Sequence, residues 1–417
     1  GGNYNTVVGD EAGTAITTGD SNVAVGYTAL DATTTASNNT AVGFAALTIN
    51  VTGAQNTAVG GYALYNNEAS DNTGLGYNAL FTNTTGTNNT AVGKDALVAN
   101  TTGDTNTALG YLALDANTTA SNNTAVGASA LTANTTGTQN AAVGAEAMDA
   151  NTTGNTNAAL GIGALGSNTT ASNNTAVGAF ALLANTTGAE NTAVGRSALL
   201  ANTTANDNTA VGYAALVANT TGAENTGIGK SSLDANTTAT QNTGIGYDSL
   251  GGTTTGGENV GLGHSALVAN TTGNENTAVG KEALASSVAA DRNTAVGYRA
   301  LRVCNPSGNV DMYNVAMGYS AGVAVSTGIR NTFVGSFAGE AISSGSENIM
   351  LGYDIENNSA GADRNIVIGN FIAGAGANTV RIGTAAGTAT LNLDGSDTSW
   401  AAASDLRLKK DIADSTV

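Results

Sequence analysis

A Val-Gly, Leu-Gly, Ile-Gly or Met-Gly step recurs along most of this chain. It falls at Gly9, Gly26, Gly43, Gly60, Gly76, Gly93 and Gly110 and continues to Gly297, almost always 17 residues apart. One unit runs Asn89-Thr90-Ala91-Val92-Gly93-Lys94-Asp95-Ala96-Leu97-Val98-Ala99-Asn100-Thr101-Thr102-Gly103-Asp104-Thr105, and Asn106 begins the next. A fixed short period sustained over 300 residues is the signature of a solenoid, in which each unit is one coil stacked on the last. A length of 417 residues would otherwise suggest two or three globular domains. The repeat removes that expectation, because a solenoid lengthens along one axis without a growing central core.

Within a coil the pattern is that of a strand. In Asn-Thr-Ala-Val-Gly the Thr and Val columns share one face, because side chains alternate with period two. Val23, Ala141, Val315, Ile349 and Ile366 replace Thr in its column, and the Val column stays apolar at Val92, Leu109, Ile228, Met317 and Ile368. A column that accepts Val and Ile as readily as Thr is expected to point inward. The intervening column of Ala91, Ala108, Ala125, Gly74 and Gly227 then points outward, either to solvent or to a closely approaching backbone. Gly follows at the corner, where the backbone conformation or the packing leaves no room for a β-carbon. A second apolar column (Leu97, Leu114, Leu131, Met148, Leu165) completes the expected core stripe. Asn-Thr-Thr-Gly supplies the other turn, and the Asn columns are placed to form amide ladders from coil to coil.

Composition fits thin coils: the apolar share is carried by Ala, Val and Leu, only 5% of residues are aromatic and 11% are charged. The formal net charge of −18 argues against nucleic acid, whose phosphates demand a basic face. It keeps a long fibre soluble. One Cys (Cys304) and one His (His264) provide neither an intrachain disulfide nor a His-based zinc site. No run of about 20 apolar residues exists to insert this segment into a bilayer. The Asn-Thr-Thr sequons at Asn83, Asn100, Asn117, Asn134 and Asn151 would risk a glycan on nearly every coil in a eukaryotic secretory chain, so a bacterial or viral origin is expected. The chain opens in mid-repeat, as a segment of a longer polypeptide would.

The pattern changes after Leu301. Residues 302–314 hold the only Pro and the only Cys, and the next step is 21 residues, to Gly318. Gly322 and Gly339 then stand where Leu is expected, which reads as narrower coils. The resulting divisions are a regular shaft over 1–301, a divergent repeat subdomain over 302–386, a linker over 387–403 and a distinct segment over 404–417.

Two resemblances follow from these residues. The Asn-x-Ala-Val/Ile-Gly step resembles the head repeats of trimeric autotransporter adhesins of the YadA type, which implies a parallel β-roll assembled as a homotrimer. At the end, Thr379-Val380-Arg381-Ile382-Gly383 and then Ser404-Asp405-Leu406-Arg407-Leu408-Lys409-Lys410-Asp411-Ile412 are similar to the start of the endosialidase-type intramolecular chaperone domain, peptidase family S74. That resemblance implies self-cleavage between Ala403 and Ser404 in the full-length protein. Ser404 would be the nucleophile, Lys409 its base and Asp405 a residue orienting the turn, since a Ser hydroxyl needs a neighbouring base to lose its proton.

The expectation is therefore an all-β, parallel β-roll or β-solenoid of 17-residue coils in a homotrimeric extracellular fibre, on a virion tail or a bacterial cell surface. It would attach to a cell-surface receptor or glycan and would be no enzyme beyond single-turnover self-cleavage. An ice-binding or other repeat-surface solenoid is the alternative, since flat ranks of Thr, here the Thr101-Thr102 and Thr118-Thr119 pairs of the turn, are the expected lattice-matching surface. No cofactor is implied. One acidic column, Glu190, Asp207, Glu224, Glu258 and Glu275, stands one residue before the Asn of each coil. It is either a solvated edge or a weak divalent-cation site holding Ca2+ through oxygen ligands.

Overall fold

The structure, a computed structural model, describes residues 2–357, 359–393 and 401–402, and its contacts divide into two compact units, Gly1–Thr221 and Gly222–Val417. Both units are all-β, with no helix among the described residues. In the first unit, thirteen three-residue strands from Thr6–Val8 to Thr209–Val211 pair in parallel in chain order. This is a parallel β-solenoid with one strand per 17-residue coil. Register is residue on equivalent residue: Thr90 faces Thr107, Ala91 faces Ala108 and Val92 faces Leu109.

Backbone hydrogen bonds join each coil to the next at several points on its perimeter. Thr90 N donates to Asn106 O (2.8 Å), Leu97 N to Ala113 O (3.0 Å) and Thr101 N to Thr118 O (2.8 Å). To turn so tightly, the coil uses left-handed backbone at Asp95 (φ 57°), Leu97 (φ 52°) and Thr105 (φ 58°). Such conformations are costly for residues with a β-carbon, and here the stacking on both sides holds them. At the corner Gly93 (φ 138°) goes further, and a β-carbon there would lie 2.4 Å from the carbonyl oxygen of Gly110. Both reasons for glycine at this column therefore apply.

The two faces of the strand are the reverse of the sequence expectation. Ala91, Ala108 and Ala125 are fully buried, whereas the Thr and Val columns point outward and are half-buried or exposed. The reason is what lies across the coil. Gly74 occupies the Ala column, and a β-carbon added to it would sit 3.2 Å from Leu64 Cγ. The Leu column fills the interior so completely that only Ala or Gly fits opposite it, as expected of a close-packed core.

Asn supplies the rest of the interior. Asn89, Asn100 and their equivalents are fully buried. Asn100 Nδ2 donates to Asn83 Oδ1 (2.8 Å) and to Gly103 O (3.0 Å), and Asn117 Nδ2 donates to Asn100 Oδ1 (2.9 Å). A second ladder runs through Asn89, whose backbone N donates to Asn72 Oδ1 (2.9 Å) and whose Nδ2 donates to Gly103 O (2.8 Å). The amide ladders expected from the repeat are thus present, satisfying polar groups that burial would otherwise penalise.

The second unit is built of the same kind of coil from Thr226–Ile228 to Thr332–Val334, then lengthens to eight-residue strands at Ile349–Glu356 and Ile366–Ala373. Thr379–Thr384 adds a last parallel strand. Gly387–Asn392, at the start of the stretch read as a linker, pairs antiparallel with it. Around Gly322 and Gly339 the core is filled from the opposite wall of the coil. Phe333 takes the place of Ala in the buried strand column, and β-carbons at Gly322 and Gly339 would lie 2.7 Å and 2.5 Å from its ring. Volume lost from the Leu column is returned by Phe333, followed by Met350 and Val367 in the same buried column.

Candidate functional site

Because the strand turns its Thr and Val columns outward, each unit carries a continuous outward stripe of apolar side chains beside a rank of Thr. In the first unit the stripe includes Val59, Leu75, Leu109 (46% exposed) and Leu160 (51%). In the second it includes Ile228, Leu262, Met317 (50%), Val334 and Ile368. The in-register parallel pairing places equivalent residues one coil spacing apart, about 4.7 Å, so the stripe is unbroken along each stack. Continuous exposed apolar surface is a feature that interaction faces share. Thr40, Thr57, Thr73, Thr90, Thr107 and Thr124 form the longest uninterrupted Thr rank beside it.

A row of rings stands just past the Gly corner. Tyr27 and Phe44 stack at 5.5 Å, and Phe44, Tyr62 and Tyr77 follow edge to face at 5.2 and 5.9 Å. In the second unit Tyr298, Tyr319, Phe337, Tyr353 and Phe371 repeat the arrangement, with neighbouring centroids 5.0 to 6.1 Å apart. Basic residues enter the same column, with Lys94 over Tyr111 (5.8 Å) and Lys230 over Tyr247 (5.6 Å). These rows were not singled out in the sequence, although the first or second residue after the corner Gly carries the signal.

The acidic column occupies left-handed backbone: φ is 61° at Glu190, 60° at Asp207, 59° at Glu224 and Glu258, and 54° at Glu275. In other coils Asn88, Asn122 and Asn173 stand at this position, and Asn is among the residues that best tolerate such backbone. Two of the carboxylates already have partners. Glu224 accepts from Gln241 Nε2 (3.0 Å), and Glu275 takes both a 3.1 Å and a 2.9 Å hydrogen bond from Arg292. That guanidinium holds the Glu275 carboxyl below its ordinary range. Among the described residues, no three of His, Cys, Asp and Glu converge on a point where an ion would sit. Adding millimolar calcium or EDTA is expected to leave the thermal unfolding temperature unchanged; a rise with calcium that EDTA reverses would establish the cation site.

Other acidic groups are more perturbed. Partial burial pushes the carboxyls of Asp115, Asp149 and Asp234 above their usual range, all in the column following the core Leu or Met. Asp115 Oδ1 is buried without a hydrogen-bond partner. Near the end of the described chain a depression of about 300 Å³ is lined by Asp354, Glu356, Phe371, Ile372 and Ala373. Cys304 is buried against Met312, and burial pushes its thiol up to about 12, so it is an inert packing residue in the folded chain. The sequon residues Asn83, Asn100, Asn117, Asn134 and Asn151 are fully buried, beyond the reach of any modification after folding.

Ser404, Asp405 and Lys409 lie outside the described residues. No helix in the described chain is long and apolar enough to cross a membrane. In comparisons with family models, with curated proteins and with solved structures, nothing matches this chain.

Proposed function

We propose that the chain is the shaft or adhesive segment of a homotrimeric extracellular fibre, carried on a virion tail or a bacterial surface and attaching to a cell-surface receptor or glycan. The observation that carries this reading is the outward Thr/Val stripe. A solenoid this thin has no interior space for those side chains, and a lone chain leaves them in water along its length. Packing the stripe against two further copies buries it at roughly 25 cal/mol per Å² of apolar surface. The chain's charge of −18 also favours contact through this uncharged face.

Light scattering coupled to size exclusion should return three times the 40.7 kDa chain mass. Leu109→Glu with Leu160→Glu should shift the population toward monomer, because a buried unpaired carboxylate costs several kcal/mol. A monodisperse monomer for the unaltered chain would rule the trimer out.

The ice-binding alternative gains from the same face, since the Thr rank lies outward on a parallel sheet. The two readings exclude each other physically, because a face covered by other copies is not available to ice. A monomer with thermal hysteresis would favour the second. Against it, the column beside Thr alternates between Val and Leu at Val59, Leu75, Val92 and Leu109, which spoils a flat lattice match.

Maturation by a C-terminal chaperone is part of the first reading and rests on Ser404, Asp405 and Lys409. In the complete protein, Ser404→Ala and Lys409→Ala should each leave an uncut chain that still trimerises. Normal processing in both variants would refute the Ser-Lys pair as catalyst.

A further inference from the structure

We infer that the cluster of Lys281, Arg299 and Arg302 around Glu282, edged by Tyr298 and Tyr319, binds an oxyanion carried on a saccharide. This rests on the surface-attachment reading and narrows it to a chemical class of ligand. The chain has 13 basic residues against 31 acidic ones, yet here three cations converge on one carboxylate. Glu282 Oε2 accepts from Arg299 Nε at 2.8 Å and lies 3.4 Å from Arg302 Nε, while Oε1 is 3.7 Å from Lys281 Nζ. One carboxylate cannot neutralise three cations. The surplus is accessible: the Lys281, Arg299 and Arg302 side chains are 52%, 40% and 42% exposed.

Two further observations point to a ligand. Arg302 Nε is buried facing Glu282 Oε2 at 3.4 Å without closing a hydrogen bond, so the carboxylate leaves this half-exposed guanidinium incompletely paired. The arrangement is also held in place: the Arg299 guanidinium lies 4.8 Å from the Tyr298 ring centroid, and Tyr298 stacks on Tyr319 at 5.0 Å. Guanidinium groups fixed in this way recognise carboxylate, sulfate or phosphate oxygens through paired N–H donors. The Tyr edges beside them offer an apolar contact for a sugar ring, which a free inorganic anion would not use. The nearby Arg292 is different in kind, since Glu275 and Asp311 both pair with it.

The test uses the full chain on surfaces bearing polygalacturonate, dextran sulfate or neutral dextran at about 50 mM salt, where screening is modest. Retention on one or both anionic polymers and none on dextran is expected, and which polymer holds the protein identifies carboxylate or sulfate as the substituent. Arg302→Ala and Arg299→Ala should each weaken binding about tenfold, the loss of one hydrogen bond between charged groups. Lys230→Ala, in the same ring column but outside the cluster, should leave binding unchanged. Glu282→Gln should tighten binding several-fold, because it removes the repelling charge. A cluster with a purely structural role gives no tightening in that variant. No retention on either anionic polymer, or equal or weaker binding by Glu282→Gln, would overturn the inference. Loss of polymer binding in a chain that still trimerises and still attaches to cells would sink this inference and leave the fibre reading standing.

Discussion

Replacing Phe333 with Ala is expected to destabilise the second unit by about 3–5 kcal/mol, the range for emptying a buried aromatic site. Phe333 is the largest fully buried side chain among the described residues, and its ring fills the space that β-carbons at Gly322 and Gly339 would enter. The cavity cannot collapse, because each coil is pinned to its neighbours by backbone hydrogen bonds on both sides. The repeat itself suggests the repair. In other coils the same corner carries Leu in left-handed backbone, as at Leu284 (φ 51°) and Leu301 (φ 48°), so Leu is tolerated where Gly339 (φ 69°) stands. Gly339→Leu alone should be strongly destabilising, its β-carbon falling 2.5 Å from the ring. Combined with Phe333→Ala, it should recover much of the loss, giving a coupling energy well beyond the roughly 0.5 kcal/mol of independent sites. Hydrogen exchange across residues 315–352 reads the effect locally, which matters because long repeat arrays need not unfold in a single step. Additive effects of the two substitutions would show that the volume exchange is not what shapes these coils.

The second large effect is expected at the inner Asn ladder. Asn100→Ala removes the donor to Asn83 Oδ1 and the acceptor for Asn117 Nδ2, while Gly103 O keeps its bond from Asn89. Two buried polar groups lose a partner, at about 1–3 kcal/mol each. Asn100→Asp should be worse at neutral pH, since a carboxylate has no proton to give Asn83 Oδ1 or Gly103 O and the site is dry. Burial raises the folded-state pKa of such an Asp. Its deficit is therefore smallest below the unfolded Asp value of about 3.9 and grows as pH rises through the folded value. Thermal melts from pH 3 to 7 check both variants. A melt of Asn100→Asp that is flat with pH would mean the ladder admits water.

Much of this architecture was legible in the residues. The 17-residue period follows from the equality of coils: identical units stacked in register must repeat their turn residues, their corner Gly and their core Leu at one spacing. The Asn ladders were legible for the same reason, since an amide repeated at coil spacing meets its own copy above and below. Even the fact that Thr90 and Val92 share a face needed only the period-two geometry of a strand. The acidic positions Glu190 to Glu275 were visible as a column, but not the left-handed backbone that explains why Asn, Asp and Glu collect there.

What the sequence pattern misplaced was the side of the strand that faces in: the Thr and Val columns expected inside lie outside. Period two relates neighbouring columns to each other and says nothing about what stands across the coil. That depends on where the chain returns, and only the folded coil shows Leu64 lying against the Gly74 position. With Leu filling the interior, Ala91 must face inward and Thr90 and Val92 must face out, which moves the apolar column from the core to the surface. Phe333 makes the same point in reverse: two glycines read as missing volume, and the tertiary structure supplies that volume from the opposite wall. Local pattern sets the spacing of this protein; packing across a thin coil decides its inside and its outside.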